Sequence, residues 1–219
     1  MLATQRHSTF SIGRSLRTVI GMAHVYDGID AKLARWIQAQ PIFFVATAPL
    51  AADGLVNLSP KGTIGTFRVV DEHTFAYLDI IGSGVETIAH LRENGRVCVM
   101  LCAFDGKPNI VRLHGRGRAV LPADPAFEDL LAGFGDAGEQ RRPYLRAIIT
   151  VDVTRVADSC GYAVPKMALV AEREALDATW RSRDDENIAT YKVERNAASL
   201  DGLPGLPVAA AEADPVVVS

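Results

Sequence analysis

Cysteine is scarce in this chain: three residues, Cys98, Cys102 and Cys160, in a 219-residue sequence. An odd, low count with no secretory leader excludes a disulfide scaffold and fits a reducing compartment, so the expected location is the cytoplasm. Long apolar runs are also missing. Pro41–Thr47 and Val97–Phe104 are the longest, and both fall far short of a bilayer span. Neither sign of charge dominates. With 23 basic and 26 acidic residues the net charge is −3, and no basic block or acidic tail points to nucleic acid or a polyanion. Several familiar catalytic signatures are absent as well: no GxGxxG follows the first strand, and there is no GxxxxGK[ST], GxSxG or HExxH. Cys98 and Cys102 share one strand face without a nearby histidine pair, so they read as core residues rather than metal ligands. No pattern singles out a general acid or base.

What is present is enough hydrophobic sequence, 48%, for one well-cored domain with extensions. Residues 1–24 contain Arg6, Arg14 and Arg17, several hydroxyl residues and no acid. They read as an N-terminal extension outside the fold, or as a segment with transit-peptide composition. Helical spacing of Ile29, Leu33, Trp36 and Ile37 predicts a helix to about Gln38, begun by Asp27 or Gly28 and stopped by Pro41. Six or seven strands are expected, among them those near 42–47, 55–59, 73–79, 96–103, 109–120 and 146–156. Between them Ser83 and Glu86 have capping-box spacing for a helix that ends at Asn94-Gly95. Asp124-Pro125 starts another, with Phe127, Leu130, Leu131 and Phe134 on its apolar face. Residues 172–195 are charged and helical in pattern. Strands in the middle and helices at the connections imply a mainly β fold, an antiparallel barrel with helices packed outside. The strand at 96–103 is apolar at nearly every position, so both of its faces need cover.

Four segments carry candidate chemistry. In Asn57-Leu58-Ser59-Pro60-Lys61-Gly62, polar side chains end a buried strand. This is either a strand end with a solvated lysine, or a strand edge whose Asn57, Ser59 and Lys61 face a planar polar ligand with an anionic part. In Gly82-Ser83-Gly84-Val85-Glu86-Thr87, a helix start with bare backbone at Gly84 and hydroxyls at Ser83 and Thr87 can hold a phosphate, or can simply cap itself. Arg112 stands within an apolar strand, where arginine faces solvent, pairs with a carboxylate or reaches an anionic ligand. In Ser159-Cys160-Gly161-Tyr162, Tyr162 is a candidate pocket wall, while Cys160 lacks a partner that would activate it.

Taken in order, these segments resemble the pyridoxamine 5'-phosphate oxidase-like family of FMN-binding split barrels. The matching runs are Phe44–Ala48, Val56–Gly62, Tyr77–Asp79, Gly82–Val97 and Arg112–Gly115, then Ser159–Tyr162 and Asn196 with Asp201–Leu206. The resemblance implies a six-stranded antiparallel split β-barrel over residues 25–157 and a C-terminal extension, 158–219, with a helix packed on the barrel. It also implies a homodimer that holds FMN at the subunit interface and meets a small-molecule substrate or NAD(P)H. Nucleic acid, membrane and metal have no part in it. Ser59 and Lys61 would lie near the flavin ring or phosphate, and Ser83 to Thr87 would take the phosphate. True pyridoxamine phosphate oxidases carry basic residues at that helix start and a C-terminal segment with arginine and tryptophan. This chain has Glu86 and Thr87, and lacks the segment. The expected function is an FMN-dependent oxidoreductase with another substrate. The alternatives are a flavin protein for storage, sensing or electron transfer, and deazaflavin or haem on the same barrel.

Overall fold

The computed structural model describes residues 24–207; residues 1–23 of the N-terminal extension and 208–219 of the C-terminal one lie outside the described residues. Eight strands form one antiparallel sheet: β1 (Val25–Tyr26), β2 (Ile42–Thr47), β3 (Asn57–Gly62), β4 (Phe67–Asp71), β5 (Thr74–Ile80), β6 (Arg96–Cys102), β7 (Ile110–Val120) and β8 (Leu145–Ser159). The order across the sheet is β3-β2-β6-β7-β8-β5-β4, with β1 added to β8. Helices α1 (Ala31–Gln38), α2 (Glu86–Asn94), α3 (Phe127–Ala132), α4 (Gly135–Glu139), α5 (Ala175–Arg181) and α6 (Asp185–Asn196) fill the connections and the C-terminal segment.

The sheet curls until its two ends meet. The ring of Phe43, near one end of the strand order, packs 4.8 Å from Phe67 on β4 and 5.3 Å from Tyr77 on β5, both at the other end. Inward residues alternate along every strand: Phe43 and Val45 on β2, Val97, Val99 and Leu101 on β6, Val111 and Leu113 on β7, Ala147, Ile149 and Val151 on β8. Leu33 and Ile37 of α1 and Ile88 and Leu91 of α2 join the same cluster. On the outer side of β5 and β8, α3 buries Phe127 and Leu131 against Leu78 and Ile148. Trp180 of α5 and Ile188 of α6 bury Ile81 and Tyr144. The remaining outer face carries Phe44, Ala46, Cys98 and Met100. They stay half-exposed and belong to none of these clusters, while Leu58 beside them is exposed.

The mainly β split barrel expected from the sequence is the fold observed, with eight strands rather than six or seven. β1 is two residues long, too short for any pattern. β4 buries Phe67 and half-buries Val69 against the core but exposes Val70 and Asp71, so its inward pattern is only two residues long. β3 runs past the expected end, through Pro60 to Gly62. Proline is tolerated because β3 is an edge strand, where a missing ladder donor leaves nothing unpaired.

Helix ends also depart from expectation. Asp30, not Asp27 or Gly28, caps α1 by accepting from the Leu33 N–H at 2.7 Å. The Asp124 carboxylate accepts from Leu121 N–H instead of capping α3. The charged stretch at 172–195 is two helices, because Asp184 accepts from Asn187 N–H and starts α6 afresh. The stop at Gly95 is as expected, in the left-handed region at φ 69°.

Gly115 sits where β7 pairs with both β6 and β8, at the register shift after His114. A Cβ there would lie 2.0 Å from the Asp152 carbonyl oxygen. Backbone cannot yield as a side chain can, so Gly115→Ala should cost about 1–3 kcal/mol, the range of overpacked cores. At Gly117 a Cβ would instead meet Leu91 methyl carbons, with the nearest at 2.8 Å. Urea unfolding of both alanine variants checks this, and Gly115→Ala should be the more damaging.

Candidate functional site

A pocket of about 410 Å³ opens at the seam where the ends of the sheet meet. The alternation of β3 supplies one wall. Opposite the inward Phe43, Val45 and Thr47 of β2 stand Lys61, Ser59 and Asn57. These three residues, with Ser83, Gly84 and Thr87, line the one pocket. Six of the eight residues singled out from the sequence are thus brought together. Arg112 and Tyr162 are not among them. Arg112 donates to Ser159 Oγ at 3.1 Å and pairs across the sheet with Met100, and Tyr162 is exposed beyond β8.

A polar ladder crosses the floor. Ser59 Oγ donates to Asn57 Oδ1 at 2.7 Å. Asn57 Nδ2 donates to the hydroxyls of Thr47 and Thr87, both at 3.0 Å. Thr47 in turn is bonded to His90 Nδ1 at 2.9 Å. Burial pushes the His90 imidazole below its ordinary value, against the pull of Asp201, Glu86 and Glu93, so the ladder ends on a neutral ring. Thr87 accepts from Asn57, so its own proton is left to donate.

Beside the ladder lies a buried ion triad. Asp79 is 0% exposed, and its Oδ2 takes a bond from Arg146 Nε at 2.9 Å. Its Oδ1 takes one from Lys61 Nζ at 3.2 Å. Burial pushes the carboxyl up, but Arg146 and then Lys61 outweigh it and hold the group below its ordinary value. Arg146 Nη1 also donates to the Gly84 carbonyl at 2.6 Å, which fixes the loop before α2. Asp79 and Arg146 were not singled out in the sequence. The signal was there: each is a charge in an apolar strand, as Arg112 is.

The start of α2 differs from the expected capping box. Val85 is the N-cap and makes no side-chain cap bond. The first bond along the axis runs from Ala89 N–H to Val85 O, so the N–H groups of Glu86, Thr87 and Ile88 have no acceptor within the helix. Glu86 does not reach back to Ser83; its Oε1 accepts from Leu200 N–H at 3.3 Å, in the C-terminal segment. That segment also grips the loop, α2 and the connection between β2 and β3. Asn196 Nδ2 donates to the Gly82 carbonyl, Arg92 donates to the Gly205 carbonyl, and Asp201 accepts from Leu55 N–H. The pocket is therefore lined by two cations, Lys61 and Arg146, by the Glu86 carboxylate, by the Ser59, Ser83 and Thr87 hydroxyls and by an uncapped helix start, with Asp79 buried behind Lys61 and Arg146. This is a donor set for a phosphate-bearing ligand with a polar ring.

Residues 29–160 match the family described as Pyridoxamine 5'-phosphate oxidase. The chain belongs to that family. A curated relative, the Pyridoxamine 5'-phosphate oxidase family protein ustO of Aspergillus flavus, is 36% identical over 195 residues, 83% of this chain and 77% of that protein. Solved structures of low similarity include a FAD-binding protein from Mesorhizobium loti, at 16% identity and TM-score 0.41 over 64% of this chain and 96% of that one. Another is an FMN-binding protein from Syntrophomonas wolfei, at 13% identity and TM-score 0.43 over 57% and 80%. Within the Pyridoxamine 5'-phosphate oxidase match lie both walls of the pocket, β3 and the start of α2, and the ion triad between them. The gripping C-terminal segment lies beyond it. None of the described helices is long and apolar enough to cross a membrane.

Asp79→Asn leaves Arg146 buried without its counter-charge, which should cost about 3–5 kcal/mol at neutral pH. The Asp79 carboxyl is depressed in the folded chain. Its contribution is therefore complete above the unfolded value of about 4 and is lost as pH falls through the folded value. Urea unfolding from about pH 7 down to about pH 3 should show the gap between wild type and Asp79→Asn narrow below about pH 4.

Proposed function

We propose that this pocket binds FMN and that the protein is an FMN-dependent oxidoreductase acting on a small molecule. The observation that carries the reading is the uncapped start of α2, whose free N–H groups stand with the Ser83 and Thr87 hydroxyls across the pocket from Lys61. Ser83, Thr87 and the N–H groups of Glu86 and Thr87 would hold the phosphate, with the helix dipole adding positive potential. Lys61, oriented by Asp79, supplies a nearby cation. Asn57 and Ser59 on the β3 edge would take the polar rim of the ring. Bound there, the flavin supplies the redox chemistry, and the protein supplies position, polarity and shelter from water. Glu86 stands where basic residues mark the true pyridoxamine phosphate oxidases, and it is turned to the C-terminal segment. The reading accordingly does not extend to pyridoxamine phosphate as substrate.

Hydrogen bonds to a charged group are worth about 1.5–3 kcal/mol each. Thr87→Val should therefore weaken FMN binding about ten- to a hundredfold and leave riboflavin, which has no phosphate, nearly unchanged. Ser83→Ala should weaken FMN in the same way without lowering the unfolding midpoint, since Ser83 caps nothing. Titration of each protein with both ligands, followed by flavin fluorescence, checks this. An equal loss for FMN and riboflavin in Thr87→Val would exclude a phosphate contact.

A homodimer belongs to the same proposal. The half-exposed outer face of Phe44, Ala46, Cys98 and Met100, continued by exposed Leu58, is an apolar sheet surface that a two-fold partner would cover. Arg112 would then be an interface residue. Met100→Glu should give a monomer of unchanged fold at micromolar concentration, where wild type sediments as a dimer; sedimentation equilibrium with far-UV circular dichroism checks it.

A further inference from the structure

A second cavity, of about 620 Å³, adjoins the first. It lies in the volume range of small-molecule sites, about 300–1,000 Å³. The two share Pro60, Lys61, Gly62 and Leu176, so their occupants would touch across the end of β3. Its floor is Ile42 and Phe104, and its roof is Met167 and Leu169 from the segment that leads into α5, with Leu176 from the first turn of that helix.

The roof is built, not draped. Met167 N–H donates to the Phe104 carbonyl at 2.8 Å, and the Glu172 carboxylate accepts from Ile64 N–H at 2.6 Å. Three charged side chains reach its wall: Lys61, which shares the Asp79 carboxylate with Arg146, Glu172, which accepts from Ile64 N–H, and exposed Arg173. The rest of the lining is apolar or small: Pro41, Ile42, Pro60, Phe104, Met167 and Leu169 dominate it. Apolar side chains have meanwhile been left open: Met167 and Leu169 are each 56% exposed although they roof a cavity. Such surface is stabilised by an apolar occupant, at about 25 cal/mol for each Å² removed from water.

We infer that this chamber is the site of an uncharged, flat, apolar ring compound, the small-molecule reactant that meets the cofactor across Pro60, Lys61 and Gly62. As the name of a substrate class it rests on the FMN reading; as a binding site it stands on the chamber alone. The predominance of apolar side chains in its wall favours an uncharged reactant, and its volume admits a two-ring molecule.

The probe is 1-naphthol, titrated by isothermal calorimetry and by its own fluorescence into wild type, Leu169→Asp, Met167→Asp and Thr87→Val, each with and without FMN. Leu169 and Met167 are half-exposed, so the substitutions leave the core intact; circular dichroism verifies it. A carboxylate facing the chamber should weaken 1-naphthol at least about tenfold in both aspartate variants and leave FMN affinity unchanged. Thr87→Val should do the reverse. No binding of 1-naphthol to wild type, or affinity unaltered by either aspartate, overturns the chamber. FMN affinity falling in parallel with that of 1-naphthol in the aspartate variants overturns it too, because the cofactor ring itself would then occupy the space. If FMN fails to bind any of the proteins while the aspartates still abolish 1-naphthol binding, the cofactor reading fails and the apolar site stands.

Discussion

The ion pair between Lys61 and Asp79 joins the first strand of the sheet order to its far end. β3 and β5 share no ladder, and the barrel is split between them, yet at this point a 3.2 Å contact spans the seam. A fully buried carboxylate needs counter-charge, because desolvation of a lone ion costs several kcal/mol. Arg146 from β8 supplies one partner and Lys61 the other, so three strands are tied at one atom group. The Thr63–Thr66 turn, whose Thr66 carbonyl accepts from Leu78 N–H, draws the same two ends together. The pocket exists because the sheet meets itself here without closing its ladder. The wall of β3 and the start of α2 can face each other only while that junction holds.

Strands β2, β6, β7 and β8 were legible in the sequence because inward residues such as Val97, Val99 and Leu101 are fully covered, and burial leaves a strong apolar pattern. β1 and β4 were not, because strands with at most two inward residues have too few repeats for a period to be detected. For the site, hydroxyls and glycines at strand and helix ends marked Asn57, Ser59, Lys61, Ser83, Gly84 and Thr87, since such residues are unusual where an element would otherwise be apolar. The role of Asp79 and Arg146 depends on contact between strands separated by 67 residues. No local pattern contains that contact. The capping box failed for a related reason. Ser83 and Glu86 have the spacing, but the Leu200 N–H, distant in sequence, supplies Glu86 with another partner, and tertiary contact overrode local preference.

The same competition explains how an acidic residue can stand beside an anion site. A free carboxylate at Glu86 would repel a phosphate at the helix start. Glu86 keeps one oxygen on Leu200 N–H, and Lys61, Arg146 and the N–H groups of the first turn offset its charge in the same pocket. The cavity thus has a polar end, set by the family's shared elements, and an apolar end, roofed by chain beyond the matched region. Variation in that roof can change what enters without disturbing the barrel.

The grip of the C-terminal segment on the loop before α2, on α2 itself and on the connection between β2 and β3 also bears on how the chain acquires its site. The contacts of Asn196 with Gly82, Leu200 with Glu86, Gly205 with Arg92 and Asp201 with Leu55 span separations of 113 to 146 residues. Contacts of such range form late, because long loops must close before they are rewarded. During synthesis the barrel strands emerge first and can pair among themselves, while the loop at 82–87 waits for residues 196–205. The pocket is set only once residues 196–205 have emerged, and the last described residues of the chain act as its latch.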